Sequence, residues 1–188
     1  MFNESLLAHK YLDGLMGIEV GGACHNPFNI PNCRNVDYSN KPSVYTETQM
    51  SHENRILKVD CVAYGQSLPF KDNSLDYILS SHVIEHFKDP ICVLKSWMKI
   101  IKPGGYIFAI IPHKDRTFDS PRPVTTMAEH IERHVNNPSY HARSEDMHWS
   151  VWRTTDFIEL CKYLELNIVE FHDSDDKVGN GFTVVLTK

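Results

Sequence analysis

No apolar stretch in the 188-residue chain approaches the ~18 residues a membrane-spanning helix needs, so such a span is excluded. No run of lysines and arginines occurs and the formal charge is −5, which argues against an extended nucleic-acid track. The N-terminal stretch carries Glu4 and has no apolar core, so a secretory signal is not expected there. Cysteine is sparse. Cys24, Cys33, Cys61, Cys92 and Cys161 are odd in number and form no C-x-x-C pair, which points to reduced thiols and a cytoplasmic setting. Internal repeats are absent, as is G-x-G-x-x-G, the NAD fingerprint. What the chain has in excess is histidine: eleven residues, with His130, His134, His141 and His148 in one short stretch.

The length suits one domain over 1–188. Short apolar runs alternate with longer helical patterns. Strands are expected at 16–20, 34–37, 55–62, 75–81, 106–111, 168–171 and 182–186. Helical spacing covers 90–102, stopping at Lys102-Pro103-Gly104-Gly105, and 155–166. Strand–helix alternation with all-apolar central strands predicts an α/β fold: a mostly parallel sheet with helices on both faces. The turn-rich connection 173–181 suits a hairpin, and hence an antiparallel strand at the sheet edge. One segment, 113–152, is too long for an idle connection and is rich in Pro, His, Arg and Thr.

Two strand ends carry ligand chemistry. Gly21 and Gly22 directly follow the first strand, where glycines let the backbone turn tightly and approach a ligand. Glu19, two residues earlier, would repel a pyrophosphate and suits a cationic ligand. Asp37 closes the second strand, with Tyr38 beside it, at the edge where open α/β sheets bind ligands; an acid there accepts two ribose hydroxyls.

The run Leu68-Pro69-Phe70-Lys71-Asp72-Asn73-Ser74-Leu75-Asp76, then a strand, then Glu85-His86, then Lys102-Pro103-Gly104-Gly105, closely resembles the methyltransferase type 11 group of class I S-adenosylmethionine-dependent methyltransferases. The resemblance covers about 16–112 and implies a Rossmann-like fold with S-adenosylmethionine as cofactor. It implies cofactor-facing roles for Glu19, Gly21, Gly22, Asp37, Tyr38, Ser81 and His82. Two departures stand out. A third glycine is replaced by Cys24 or His25, and the usual adenine-side acid is missing, leaving Asp60 as substitute or Tyr64 as a stacking ring. More loosely, the segments 22–28, 117–125 and 147–152 resemble a subgroup found beside glycan-modifying functions.

His82-Val83-Ile84-Glu85-His86 is also a literal H-x-x-E-H, the inverted zinc-protease pattern. It starts at a strand end rather than inside a long helix, and His82 is a poor magnesium ligand, so no metal is expected. The acceptor should be read in 113–152. His113, His130 and His148 are candidate general bases, Asp119 their orienter and Arg122 a substrate anchor. His86 and Trp152 are further substrate contacts, Trp152 as a wall against a sugar ring or else as core. His134 and His141 are read as surface residues. The expected reaction is O-methylation of a small-molecule or glycan acceptor. The alternatives are N- or carboxyl-methylation, and a degenerate fold acting as a binding module.

Overall fold

The computed structural model describes residues 4–22, 28–41, 47, 50, 56–136 and 147–188. Seven strands form one sheet: β1 (Gly17–Val20), β2 (Cys33–Asp37), β3 (Cys61–Val62), β4 (Leu75–Ser81), β5 (Ile101–Pro112), β6 (Asn167–His172) and β7 (Gly181–Thr187). Their spatial order is β3-β2-β1-β4-β5-β7-β6. The first five run parallel; β7 is antiparallel to both β5 and β6, so the chain's last hairpin closes one edge. Helices α1 (Leu6–Leu12), α2 (Pro90–Ile100), α3 (Met127–Asn136) and α4 (Thr154–Tyr163) accompany the sheet. No helix among the described residues is long and apolar enough to cross a membrane.

The period-2 alternation of the central strands builds two cores. Ile78 of β4, Ile107, Ala109 and Ile111 of β5, and Val184 and Leu186 of β7 pack with α2 and α4 residues such as Trp97 and Phe157. The intervening Tyr77, Leu79, Phe108, Ile110 and Val185 pack with Ala8 and Leu12 of α1 and with Phe28. Both faces are covered, which is why these strands read as unbroken apolar runs. Asp89 caps α2 by accepting from the Cys92 N–H at 2.9 Å, and Pro90 fills the first turn, where no N–H is needed.

Two strands differ from expectation. β5 starts at Ile101, not 106: Leu75 pairs with Ile101 and Tyr77 with Tyr106, so Lys102–Pro103–Gly104–Gly105 is an outward bulge within the strand, with Gly104 at φ +78°. The third strand, expected over 55–62, is reduced to Cys61–Val62. Asp60 explains this. Its side chain accepts from the Asn35 N–H at 3.1 Å, taking the place of a strand carbonyl. Arg55 lies outside the described residues, as do Cys24, His25 and His141.

The segment 113–152 is tied at both ends, since His113 and Trp152 form an isolated parallel bridge. Trp152 is 1% exposed and packs in the α2–α4 core, stacked on His130 with ring centroids 5.4 Å apart. Its indole N–H donates to His130 Nε2 at 2.9 Å. Indole is a donor only, so His130 must accept and stay neutral. Burial and the Arg133 charge hold the His130 pKa down to about 4. The unfolded chain, near 6.5, therefore takes up this proton first. Stability from this pair is full above pH ~6.5 and drains as pH falls toward 4. Between pH 7.5 and 5 the protein is expected to lose ~2 kcal/mol more than His130→Gln, which keeps an acceptor but does not titrate. Urea unfolding at the two pH values measures this; equal losses would remove His130 from the account.

Candidate active site

Because β1, β2, β4 and β5 are parallel, their carboxyl ends converge on one sheet edge. Connections diverge there between β1 and β4, the usual ligand crevice of open α/β sheets. Gly21 sits at φ +74°, and a Cβ there would lie 2.5 Å from Val83 Cγ2. At Gly22 a Cβ would lie 2.7 Å from Asn35 Oδ1 and 2.9 Å from Glu19 Cδ. The two glycines thus allow a turn that brings Glu19 and Asn35 against the backbone. Glu19 Oε1 and Asn35 Oδ1 are buried and have no hydrogen-bond partner among the described residues. Burial pushes the Glu19 pKa up to about 7, against a downward pull from Lys177. Two orphaned acceptors beside a glycine turn fit the cationic aminoacyl end of S-adenosylmethionine, which brings the donors they lack.

Asp37 is buried at the end of β2, and its Oδ1 accepts from the Ser39 N–H at 3.3 Å. Tyr38 follows, half-buried. Ser81 is buried at the end of β4, and His82 stands next to it at φ +54°, its N–H bonded to the Ile110 carbonyl. Burial lowers the His82 pKa to about 4, so a neutral imidazole faces this edge. Tyr64 is exposed just after β3. Asp60, the expected adenine-side substitute, spends Oδ2 on the backbone of β2, and its Oδ1 lies 3.5 Å from Lys58. The sequence reading missed Lys177. The β6–β7 connection coils around Asp175, which accepts from the N–H groups of Lys177, Val178, Gly179 and Gly181. Lys177 is buried there, with Nζ 3.6 Å from the Phe28 ring centroid. The signal was present as a lysine inside a turn-rich stretch, but only the antiparallel return of β7 brings it to this edge.

The three candidate bases separate on their lone pairs. His113 Nδ1 accepts from the Asp115 N–H at 3.1 Å, so its proton sits on Nε2. His130 Nε2 is occupied by the Trp152 indole. Neither offers a vacant acceptor nitrogen. His148 differs: its Nδ1 donates to Asp119 Oδ2 at 2.6 Å, leaving the Nε2 lone pair. Asp119, 1% exposed, is held by Arg122, whose Nη1 lies 2.6 Å from Oδ1 and whose Nη2 donates to the His148 carbonyl. Arg122, read as a substrate anchor, is therefore committed to fixing this pair. Trp152, read as an acceptor wall, is core. His134 is half-buried rather than on the open surface, with Nδ1 2.8 Å from Asp89 Oδ2.

His148 Nε2 lies 3.8 Å from Glu85 Oε1, and His86 Nε2 lies 3.7 Å from the same oxygen. Glu85 occupies a 3-10 turn, Ile84–His86, directly after β4. Its carbonyl accepts from the N–H groups of Trp149 and Ser150, which docks the end of the 113–152 segment onto this turn. Burial pushes the Glu85 carboxyl up to about 8. The His86 and His148 rings meet edge-on at 4.8 Å, and the exposed Phe118 ring covers His148 at 4.6 Å. Trp149 is half-buried alongside, with no partner for its indole N–H among the described residues.

The strand order and the antiparallel β7 are those of the Rossmann-like fold of class I S-adenosylmethionine-dependent methyltransferases. Residues 21–109 match the methyltransferase domain family and are such a domain, which indicates S-adenosylmethionine as cofactor. The chain is 33% identical over 113 residues to the tRNA U34 carboxymethyltransferase of Campylobacter curvus, a match covering 55% of this chain and 36% of that protein. It is 27% identical over 93 residues to a sterol 4-C-methyltransferase of Caenorhabditis elegans, covering 48% and 26%. The matches thus span well under half of these curated relatives. Among solved structures, an S-adenosylmethionine-dependent methyltransferase of Thermotoga maritima superposes with a TM-score of 0.58 at 21% identity, over 98% of this chain and 88% of that one. A Pyrococcus horikoshii protein gives 0.59 at 15% identity, over 96% and 85%.

Asp37→Ala removes the acceptor pair expected to hold the ribose. Calorimetric titration with S-adenosylhomocysteine should show binding weakened ten- to a hundredfold, ~1.5–3 kcal/mol. An unchanged dissociation constant would mean the ribose is held elsewhere.

Proposed function

We propose that the chain transfers a methyl group from S-adenosylmethionine to a hydroxyl oxygen of a small-molecule or glycan acceptor, giving S-adenosylhomocysteine and a methyl ether. In this reading 1–188 is one cofactor-binding domain, and 113–152 supplies the acceptor side. The observation that carries it is the Arg122–Asp119–His148 chain. It fixes one imidazole with its Nε2 lone pair turned toward the strand-end turn that follows β4.

When bound, S-adenosylmethionine supplies an electrophilic methyl on a positively charged sulfur. The residues of this chain have three tasks. Glu19, Asn35 and Asp37 hold the charged and hydroxylated ends of the cofactor. Neutral His82 lines the same edge without adding a positive charge that would repel the sulfonium. His148 Nε2 takes the acceptor's hydroxyl proton as oxygen bonds to the methyl carbon and the carbon–sulfur electron pair returns to sulfur. Asp119 stabilises the imidazolium, and Arg122 keeps Asp119 in place. His86 and Trp149, beside Glu85, are the groups an acceptor would touch. The charge of −5 favours a small acceptor over a nucleic acid. Cys33, Cys61, Cys92 and Cys161 are free thiols, which supports a cytoplasmic site of action.

The test is turnover at saturating S-adenosylmethionine with a panel of sugar and small hydroxyl acceptors, read as S-adenosylhomocysteine release. His148→Ala is expected to lose 10²- to 10⁴-fold in rate while binding the nucleotide as the parent does. His113→Ala should stay within a few-fold. Retained turnover in His148→Ala would overturn the assignment of the base, and nucleotide binding without turnover on any acceptor would favour the binding-module alternative.

A further inference from the structure

We propose that Glu85, His86 and His148 form a binding site for a divalent transition-metal ion of the class that takes imidazole and carboxylate ligands, Zn²⁺ or Co²⁺ serving as probes. Four observations support it. One ligand atom from each residue lies within 4.8 Å of those from the other two. The two nitrogen-to-oxygen separations, 3.7 and 3.8 Å, are a few tenths longer than the ~3.4 Å edge of a tetrahedron with metal–ligand bonds of ~2.1 Å. The two imidazole nitrogens, within 4.8 Å of each other, must draw together by rotation of the His86 and His148 rings to complete the set. Glu85 is 0% exposed, and neither carboxylate oxygen has a hydrogen-bond partner among the described residues. A buried carboxyl group with neither oxygen hydrogen-bonded is costly, and a bound cation would satisfy both its charge and its lone pairs.

The outer contacts are those of a metal site. Asp119 orients His148 through Nδ1, fixing the tautomer that presents Nε2, and Arg122 orients Asp119. The His86 side chain is 27% exposed and gives a way in from solvent. Two imidazoles and one carboxylate disfavour magnesium, which prefers oxygen ligands, and select the later transition metals. Three protein ligands leave an open position for water or an acceptor hydroxyl. With an ion bound, His148 Nε2 would be a ligand and could not also take a proton, so the ion is expected to inhibit the proposed methyl transfer.

The sequence led to the expectation of no metal, because the H-x-x-E-H pattern begins at a strand end and His82 stands where magnesium would need an oxygen ligand. The structure turns His82 to the strand end and brings His148 to Glu85 in its place. Only this expected inhibition rests on the proposed methyl transfer. Ion binding is measured with neither substrate present. Binding without turnover would overturn the function alone, and turnover without binding would overturn this inference alone.

Protein stripped with chelator is titrated with Co²⁺ and followed by visible ligand-field absorption, with Zn²⁺ as competitor. The expected result is saturation at one ion per chain. Binding should weaken at least tenfold in Glu85→Gln, His86→Ala and His148→Ala, and ten- to a hundredfold in Asp119→Asn. His82→Asn, which tolerates the left-handed backbone, should bind as the parent does. Circular dichroism checks that each variant is folded. Independently, Zn²⁺ added to the parent should shift the imidazole nitrogen resonances of His86 and His148 and leave those of His113 and His130. No saturable binding by the parent, binding that survives all three ligand variants, or loss in His82→Asn but not His148→Ala would each overturn the proposal.

Discussion

The Glu85 carbonyl accepts two backbone N–H groups, from Trp149 at 2.8 Å and from Ser150 at 3.2 Å, and the placement of the far end of 113–152 depends on that junction. It is main-chain hydrogen bonding between a strand-end turn and the far end of a long segment. It sets where His148 stands. Once His148 is there, the Asp119 contact fixes its tautomer and Arg122 closes the chain back onto the His148 carbonyl. The opposite end of the segment is secured differently, by burying Trp152 and satisfying its indole on His130. One histidine is thus committed to the core, while the other is held beside the Glu85 turn.

The distribution of satisfied and unsatisfied polar groups follows this division. Around Asp175, four backbone N–H groups converge on one carboxylate. Around Trp97, the indole N–H finds the Gly65 carbonyl at 2.7 Å. At the ligand edge and in the turn after β4, by contrast, Glu19, Asn35 and Glu85 keep side-chain oxygens without a hydrogen-bond partner among the described residues. Each such group costs roughly 1–3 kcal/mol. They sit on the ligand edge and beside the turn after β4, the places where a bound group would relieve that cost.

Much of the fold was legible because the sheet is covered on both faces. The strand 75–81 reads correctly to the residue, since its apolar run is bounded by turn residues. The Lys102–Gly105 bulge was not legible, because Pro and Gly signal a break whether the chain leaves the sheet or only swells out of it. Glu19, Asp37 and Ser81 do stand at or beside the carboxyl ends of β1, β2 and β4, because parallel strands bring those ends together. The Asp119–His148 contact could not be read in this way. His148 and Asp119 are 29 positions apart, and nothing in periodicity says that they touch. Likewise the lone-pair states of His113 and His130 depend on the Asp115 N–H and the Trp152 indole, contacts that no local pattern encodes.

The chain has three tryptophans, and the structure gives them unequal optical visibility. Trp97 and Trp152 are sealed in the core, each with its N–H committed to an interior acceptor. Trp149 alone is half-buried, beside the Glu85 turn and under the Lys88 ammonium, which lies 5.4 Å from its ring centroid. Intrinsic emission from the folded protein therefore divides into a constant background from two indoles and a responsive component from one. A change of intensity or quencher access on adding a ligand reports on the surroundings of the Glu85 turn without any label.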